Sequence, residues 1–164
     1  MASYSRAFAQ IRQSIQQHLP RAPAETARII TCFETIADQL MSWQKQLNAI
    51  RRPPHSQTLE EMGQACEQFS TLLDELDLWL EESVNQQWID LKNEIAKLQI
   101  TYRSLPVRSA LTTYIQRLKN IEITGEALTP TQQQELETIR FQAADGLTDL
   151  GKALRRAVAN TRRR

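Results

Sequence analysis

The sequence predicts an all-α protein, an elongated antiparallel helical bundle of about five helices with coiled-coil-like heptad packing. Three observations predict it. Apolar residues recur at alternating steps of three and four along most of the chain, which places them on one helical face. Glycine (4) and proline (6) are scarce among the 164 residues, a balance that favours helix. The prolines fall at the ends of the periodic runs, where a residue without an N–H stops a helix. The length suits a single domain over 1–164, able to bury a core without disulfides or metals.

The first helix spans Ser3 to Leu19, with Tyr4, Phe8, Ile11 and Ile15 on its stripe and Pro20 and Pro23 beyond it. Ser3 or Ser5 is its cap, a hydroxyl accepting from a free N–H. The second runs from about Ala24 to Arg51 on Ile29, Phe33, Ile36, Leu40, Trp43, Leu47 and Ile50. Ile30 and Ala37 widen that stripe beyond a two-helix seam, which suits a bundle. Pro53-Pro54 ends it, and the short link to Ser56 predicts antiparallel packing of this helix on the next.

Ser56 to Ser104 is the longest periodic stretch, without proline and with one glycine, Gly63. Leu59, Met62, Cys66, Phe69, Leu73, Leu76 and Leu80 step 3-4-3-4-3-4, and the rhythm shifts to 4-4 through Val84 and Trp88 before resuming. Two readings follow. One is a continuous helix with a four-residue stutter, shared by two bundle halves as a strut over 57–104. The other is a break at Ser83-Val84-Asn85. With no proline or glycine there, continuity is favoured, giving a rod of about 70 Å.

Leu105-Pro106 ends that stretch. A fourth helix covers Val107 to Ile121 on Val107, Leu111, Tyr114, Leu118 and Ile121, and Thr124-Gly125 is a turn. Thr129-Pro130-Thr131-Gln132 is a helix start: threonine at the cap, proline at the first position, glutamine at the third to reach back. The fifth helix then runs to about Ala159 on Leu136, Ile139, Ala143, Leu147, Leu150, Leu154 and Val158. Gly146 and Gly151 weaken it, or admit a close neighbour.

The net charge of +1 conceals polarity. Residues 1–57 carry +4, residues 58–91 carry −9 with no base, and residues 92–164 carry +6. The acids Glu60, Glu67, Asp74 and Glu81 recur every seventh position, and Asp77 broadens the band. This is either a solvated face or a docking face for a basic partner protein. Trp79, one position off the seam, is expected to be a partly exposed aromatic anchor there. The basic residues Arg103, Arg108, Arg117 and Lys119 cluster around the fourth helix, and Lys152, Arg155, Arg156, Arg162, Arg163 and Arg164 crowd the C-terminus. Such residues track a phosphate backbone, although terminal arginines also complement a helix dipole. Tyr102 and Tyr114 sit on seam positions and are expected in the core rather than stacked on bases.

Catalytic groups are sparse. His18 and His55 have no metal-ligand spacing around them, so no catalytic residue, cofactor site or metal site is expected. There is no phosphate loop and no nucleophile elbow. Cys32 and Cys66 lie on or beside apolar stripes and read as buried thiols. No run of 18 apolar residues exists and the first nine residues lack an apolar core, so a cytoplasmic protein is expected. The function expected is therefore non-enzymatic: a helical adaptor or structural subunit that binds other proteins within a larger complex. The alternative is a small helical subunit of a ribonucleoprotein or DNA-processing complex that grips nucleic-acid backbone. Heptad seams also raise self-association, and membrane attachment ranks last, since the fifth helix offers only Phe141 as an interfacial aromatic.

Overall fold

The computed structural model describes residues 3–16, 23–49, 56–81, 86–105, 107–125 and 127–162. It is all-helical. Six helices are described: α1 Ser3–Gln16, α2 Pro23–Asn48, α3 Ser56–Glu81, α4 Gln86–Ser104, α5 Val107–Thr124 and α6 Pro130–Arg162. His18, His55, Pro53-Pro54, Ser83 to Asn85, Arg163 and Arg164 lie outside the described residues. So do the side chains of Glu81, Trp88 and Arg108.

One core joins all six helices. The seam of α2 is buried from Ile29 to Leu47, as is that of α3 from Leu59 to Leu80, and Tyr102 and Tyr114 are buried with them. An aromatic cluster ties α1 to its neighbours. The Tyr4 ring stands 5.0 Å from that of Trp43 in an edge-to-face pair. The Phe8 ring lies 6.5 Å from that of Phe69.

The expected continuous helix over 57–104 is corrected. Gln99 Nε2 of α4 donates to Asp74 Oδ1 of α3 at 2.8 Å. In one helix those residues would stand about 37 Å apart. α3 and α4 pack against each other as separate helices. The physical reason is burial: the seam of an isolated rod has no partner beyond its bundle half, whereas the hairpin puts Leu91, Ile95, Leu98 and Tyr102 into the same core as α3. This reversal also accounts for the sixth helix.

The expected pairing of α2 with α3 is corrected as well. α2 lies chiefly along α6, and α3 lies along α4, α5 and α1. The α2 and α3 side chains still meet across the interior, where Ile36, Leu40 and Trp43 face Cys66 and Phe69 around one small space.

A continuous rod exists elsewhere in effect. Along α6, Asn160 meets Glu94 of α4, Gly146 meets Val107 at the start of α5, and Glu135 meets Arg117. The α6 partner moves steadily backwards as the chain advances from 94 to 117. α4 and α5 therefore run end to end, antiparallel to α6 and interrupted between Ser104 and Val107. Along α3 the same order appears, from Asp74 with Gln99 to Glu60 with Lys119.

Local signals are realised where they are local. Thr129 N donates to Gln132 Oε1 at 3.0 Å, and Gln132 N donates to Thr129 Oγ1 at 3.2 Å. This is the reciprocal capping box that opens α6. Gly125, at φ 64°, closes α5 through an N–H to Ile121 O at 2.9 Å. That left-handed conformation favours glycine.

Gly146 admits a neighbour. A Cβ there would stand 2.7 Å from Val107 Cβ and 3.1 Å from its Cα. At Gly151 the nearest atom would be the mobile Met41 Sδ, at 3.0 Å. Gly146→Ala should therefore destabilise the protein. Overpacking costs about 1–3 kcal/mol and outweighs the ~1 kcal/mol gained in helix propensity. Gly151→Ala should be neutral or stabilising, because the thioether swings aside. Urea unfolding of the two variants separates these outcomes.

Candidate functional site

The strongest candidate is the outer face of the α3–α4 hairpin, and α3 dictates it. α3 carries seven acids and no base. Its seam residues Cys66, Leu73 and Leu80 are buried. The residues one position before them, Ala65, Leu72 and Trp79, are buried too. The residues one position after two of them, Glu67 and Asp74, are exposed, as is Glu60. The helix thus has a wide apolar side turned inward and an acidic edge turned out.

The sequence-expected docking residues separate on this geometry. Glu60, Glu67 and Asp74 stand on the exposed edge, and Asp77 is half-buried. Glu60 is bridged to Lys119 Nζ at 2.5 Å. Asp74 accepts from a neutral amide, so its charge is not compensated by that bond. Trp79 is corrected: it is 7 % exposed and belongs to the core. Its recurrence with Ala65 and Leu72 every seventh residue is the signal that marks a second apolar stripe.

What sequence reasoning missed is apolar. Leu78 of α3 and Ile100 of α4 are each 68 % exposed, and Ile89 of α4 is also exposed. Leu78 stands one turn beyond Asp74 on its face, and Ile100 follows Gln99 directly. The Asp74–Gln99 bond therefore sets Leu78 near the seam, whereas Ile100, about 100° round α4 from Gln99, faces away from it. All three are off the heptad stripe, which is how such residues are found.

Four of the ten basic residues expected to contact phosphate are engaged in ion pairs. Arg117 pairs with Glu135 at 3.2 Å, Lys119 with Glu60, and Arg155 with Asp38 at 3.0 Å. Arg162 pairs with Glu34. Arg103, Lys152 and Arg156 are exposed. Among the described residues these basic groups lie on α4, α5 and α6, four of them ion-paired within the chain.

Two buried charged residues were not anticipated. Arg140 of α6 donates from Nη1 to Leu47 O at 2.9 Å and to Ala49 O at 3.0 Å, and from Nη2 to Glu137. It satisfies carbonyls at the C-terminus of α2, which have no partner within their own helix. Glu94 of α4 accepts from Lys97 Nζ and from Asn160 Nδ2, each at 3.3 Å. Both residues hold helices together rather than forming a reactive centre.

Cys32 and Cys66 are buried free thiols. Cys32 Sγ donates to Gln10 Oε1 at 3.3 Å. Burial pushes its pKa from the ordinary 9.0 up to about 11, against a small opposing pull from Arg28. Cys66 is pushed up to about 12 by burial, with Glu67 adding to it. A thiolate is the reactive form, so native protein at pH 8 should not react with a disulfide reagent, while unfolded protein should titrate two thiols. The linkage has a definite sign. Between pH 9 and about 12 the unfolded chain holds fewer protons on Cys66, so its contribution is complete below pH 9 and falls as the pH rises. Chemical denaturation at pH 8 and pH 10.5 should show that loss, and Cys66→Ala should flatten the difference.

Among the described residues, no three His, Cys, Asp or Glu side chains converge as a metal site requires. No described helix is long and apolar enough to cross a membrane. Comparison with protein-family models, with curated proteins and with solved structures gives no match.

Proposed function

We propose that the protein is a non-enzymatic helical adaptor or structural subunit that binds another protein within a larger complex, in the cytoplasm. Its scaffold on this reading is an elongated antiparallel bundle with heptad packing. One observation carries the proposal: the α3–α4 hairpin exposes large aliphatic side chains, Leu78 in line with the acidic edge of α3 and Ile89 and Ile100 on the outer face of α4. Exposed aliphatic side chains grouped beside charge mark interaction surfaces more often than isolated ones do.

The nucleic-acid reading rests on Arg103, Lys152 and Arg156 together with the arginines at the chain end. It is weakened by the ion pairs of Arg117, Lys119, Arg155 and Arg162. A guanidinium already paired must surrender that partner to a phosphate.

Purification of the tagged protein from its own cells should recover a protein partner that re-forms the complex from pure components at fixed stoichiometry, with nuclease treatment making no difference. Backbone binding predicts the opposite: affinity for DNA or RNA that falls steeply between 50 and 200 mM salt and falls again in an Arg103→Ala/Lys152→Ala/Arg156→Ala variant. That second pattern, without a protein partner, would overturn the proposal.

A further inference from the structure

We infer that the outer face of α4 pairs with the same face of a second copy of this chain, as an antiparallel seam about a twofold axis. The inference goes beyond the protein-binding reading and does not depend on it. The inner stripe of α4 is Leu91, Ile95, Leu98 and Tyr102, all buried. On the opposite side of the helix stand Ile89, Asn93, Ala96 and Ile100, all exposed. They step 4-3-4 and, at about 100° per residue, fall within about 60° of one another. That is a second heptad seam, turned away from the core.

The order of residues along this seam selects a second copy. A twofold axis level with its midpoint sets Ile89 of each copy against Ile100 of the other, and Asn93 against Ala96. Each isoleucine meets an isoleucine, and each asparagine meets a small side chain. The two Asn93 residues then flank the twofold axis, about 4.5 Å apart along the helices, near enough for their amides to hydrogen-bond. A polar residue at such a position fixes register at some cost in stability.

Charge agrees with this arrangement. Asp90 and Lys97 are one heptad apart and share one edge of the seam. The twofold axis brings Asp90 of each copy to within about 3 Å, measured along the helices, of the level of Lys97 of the other. An ion pair between copies follows on either side of the midpoint. Lys97 is available for it, being 66 % exposed although it also meets Glu94. The other edge sets Lys92 against Gln99, without repulsion. A parallel pair would instead oppose Lys92 and Lys97. The seam is about 16 Å in length, and two isoleucines per copy supply far less than the roughly 800 Å² per partner of a stable interface. The dimer is therefore weak and reversible. Leu78 and the acidic edge belong to α3, outside this seam, and stay available to a partner protein.

Sedimentation equilibrium of the full chain, at concentrations up to about 1 mM, should show monomer and dimer in exchange. Ile100→Lys should weaken the dimer at least tenfold while thermal unfolding stays unchanged, since the position is 68 % exposed. Asn93→Leu should tighten it at least tenfold. Charge reversal gives the sharper readout. Asp90→Lys and Lys97→Glu should each dimerise more weakly than wild type, because each alone opposes like charges. Mixed, they should form a one-to-one heterodimer, because opposite charges then meet at both pairs, and this recovery also shows that both variants fold. A wild-type chain that stays monomeric throughout, or dimerisation undiminished by Ile100→Lys, would overturn the inference. So would tighter association of Lys97→Glu alone, which marks a parallel pair. A monomeric wild-type chain whose natural partner is lost in Ile100→Lys assigns the face to that partner, and the adaptor reading survives. Dimerisation as described, with no partner protein recovered, overturns the adaptor reading and leaves this inference standing.

Discussion

Arg140→Met should destabilise the protein by about 3 kcal/mol. The Arg140 side chain is 8 % exposed, and its guanidinium spans the carbonyls of Leu47 and Ala49 where α2 ends. Methionine preserves the aliphatic stem but leaves those acceptors without a donor. Each hydrogen bond from a charged group contributes about 1.5–3 kcal/mol, and an acceptor left buried loses its solvation as well. The Leu47 carbonyl suffers most, because its bond to Arg140 is the more buried of the two. The loss also removes the guanidinium from above the Phe141 ring, 4.9 Å from its centroid.

Arg140→Lys should recover less than half of the loss, because one ammonium cannot reproduce the planar fork that meets two carbonyls. Glu137→Gln should cost under about 1 kcal/mol, since Glu137 is 53 % exposed and its pairing with Arg140 is screened. Urea unfolding of the three variants gives the ranking, with a fall in Tm of about 6–12 °C for Arg140→Met in a domain of this size. A loss below 1 kcal/mol for Arg140→Met would show that water replaces the guanidinium at the end of α2.

The features of this fold that were legible in the sequence are those a single helix determines for itself. The α2 seam could be read residue by residue, because burial of one face follows from period alone. The Thr129–Gln132 cap could be read because both of its bonds close within four residues. Which helices become neighbours could not. The short link between α2 and α3 suggested that they pair, but α6 supplies the longer apolar face and takes α2 instead. The hairpin after Glu81 was visible only as a change of rhythm, a signal that a stutter and a reversal share. Arg140 and Glu94 were illegible for a related reason: what each satisfies lies on another helix, 93 residues away for Leu47 and 66 for Asn160. The acidic edge of the candidate site followed directly from composition. Its apolar half did not, because Leu78, Ile89 and Ile100 are recognisable as exposed only once the direction of each helix face is known.

Trp79→Ala is the second large effect expected, and it decides between two roles for one side chain. As an exposed anchor, Trp79 could be truncated with little change in stability and a large loss of binding. Its observed place points the other way. Trp79 extends the stripe of Ala65 and Leu72, each buried and each seven residues from the next. That stripe widens the inner face of α3 beyond the heptad seam. α1 packs on α3 near its middle, through Phe8 and Phe69. Truncating a large buried aromatic costs about 3–5 kcal/mol, through lost transfer energy and the cavity left behind. The neighbouring Leu78→Ala, at a position 68 % exposed, should stay within about 0.5 kcal/mol of wild type. Two adjacent residues on one helix thus have opposite expected phenotypes: truncating Trp79 lowers stability, whereas truncating Leu78 spares stability and weakens binding of the partner protein. Denaturation and partner-binding titration of both variants measure this directly. The reverse assignment, a stable Trp79→Ala that no longer binds, would place the tryptophan at the interface and turn the acidic edge of α3 about its axis.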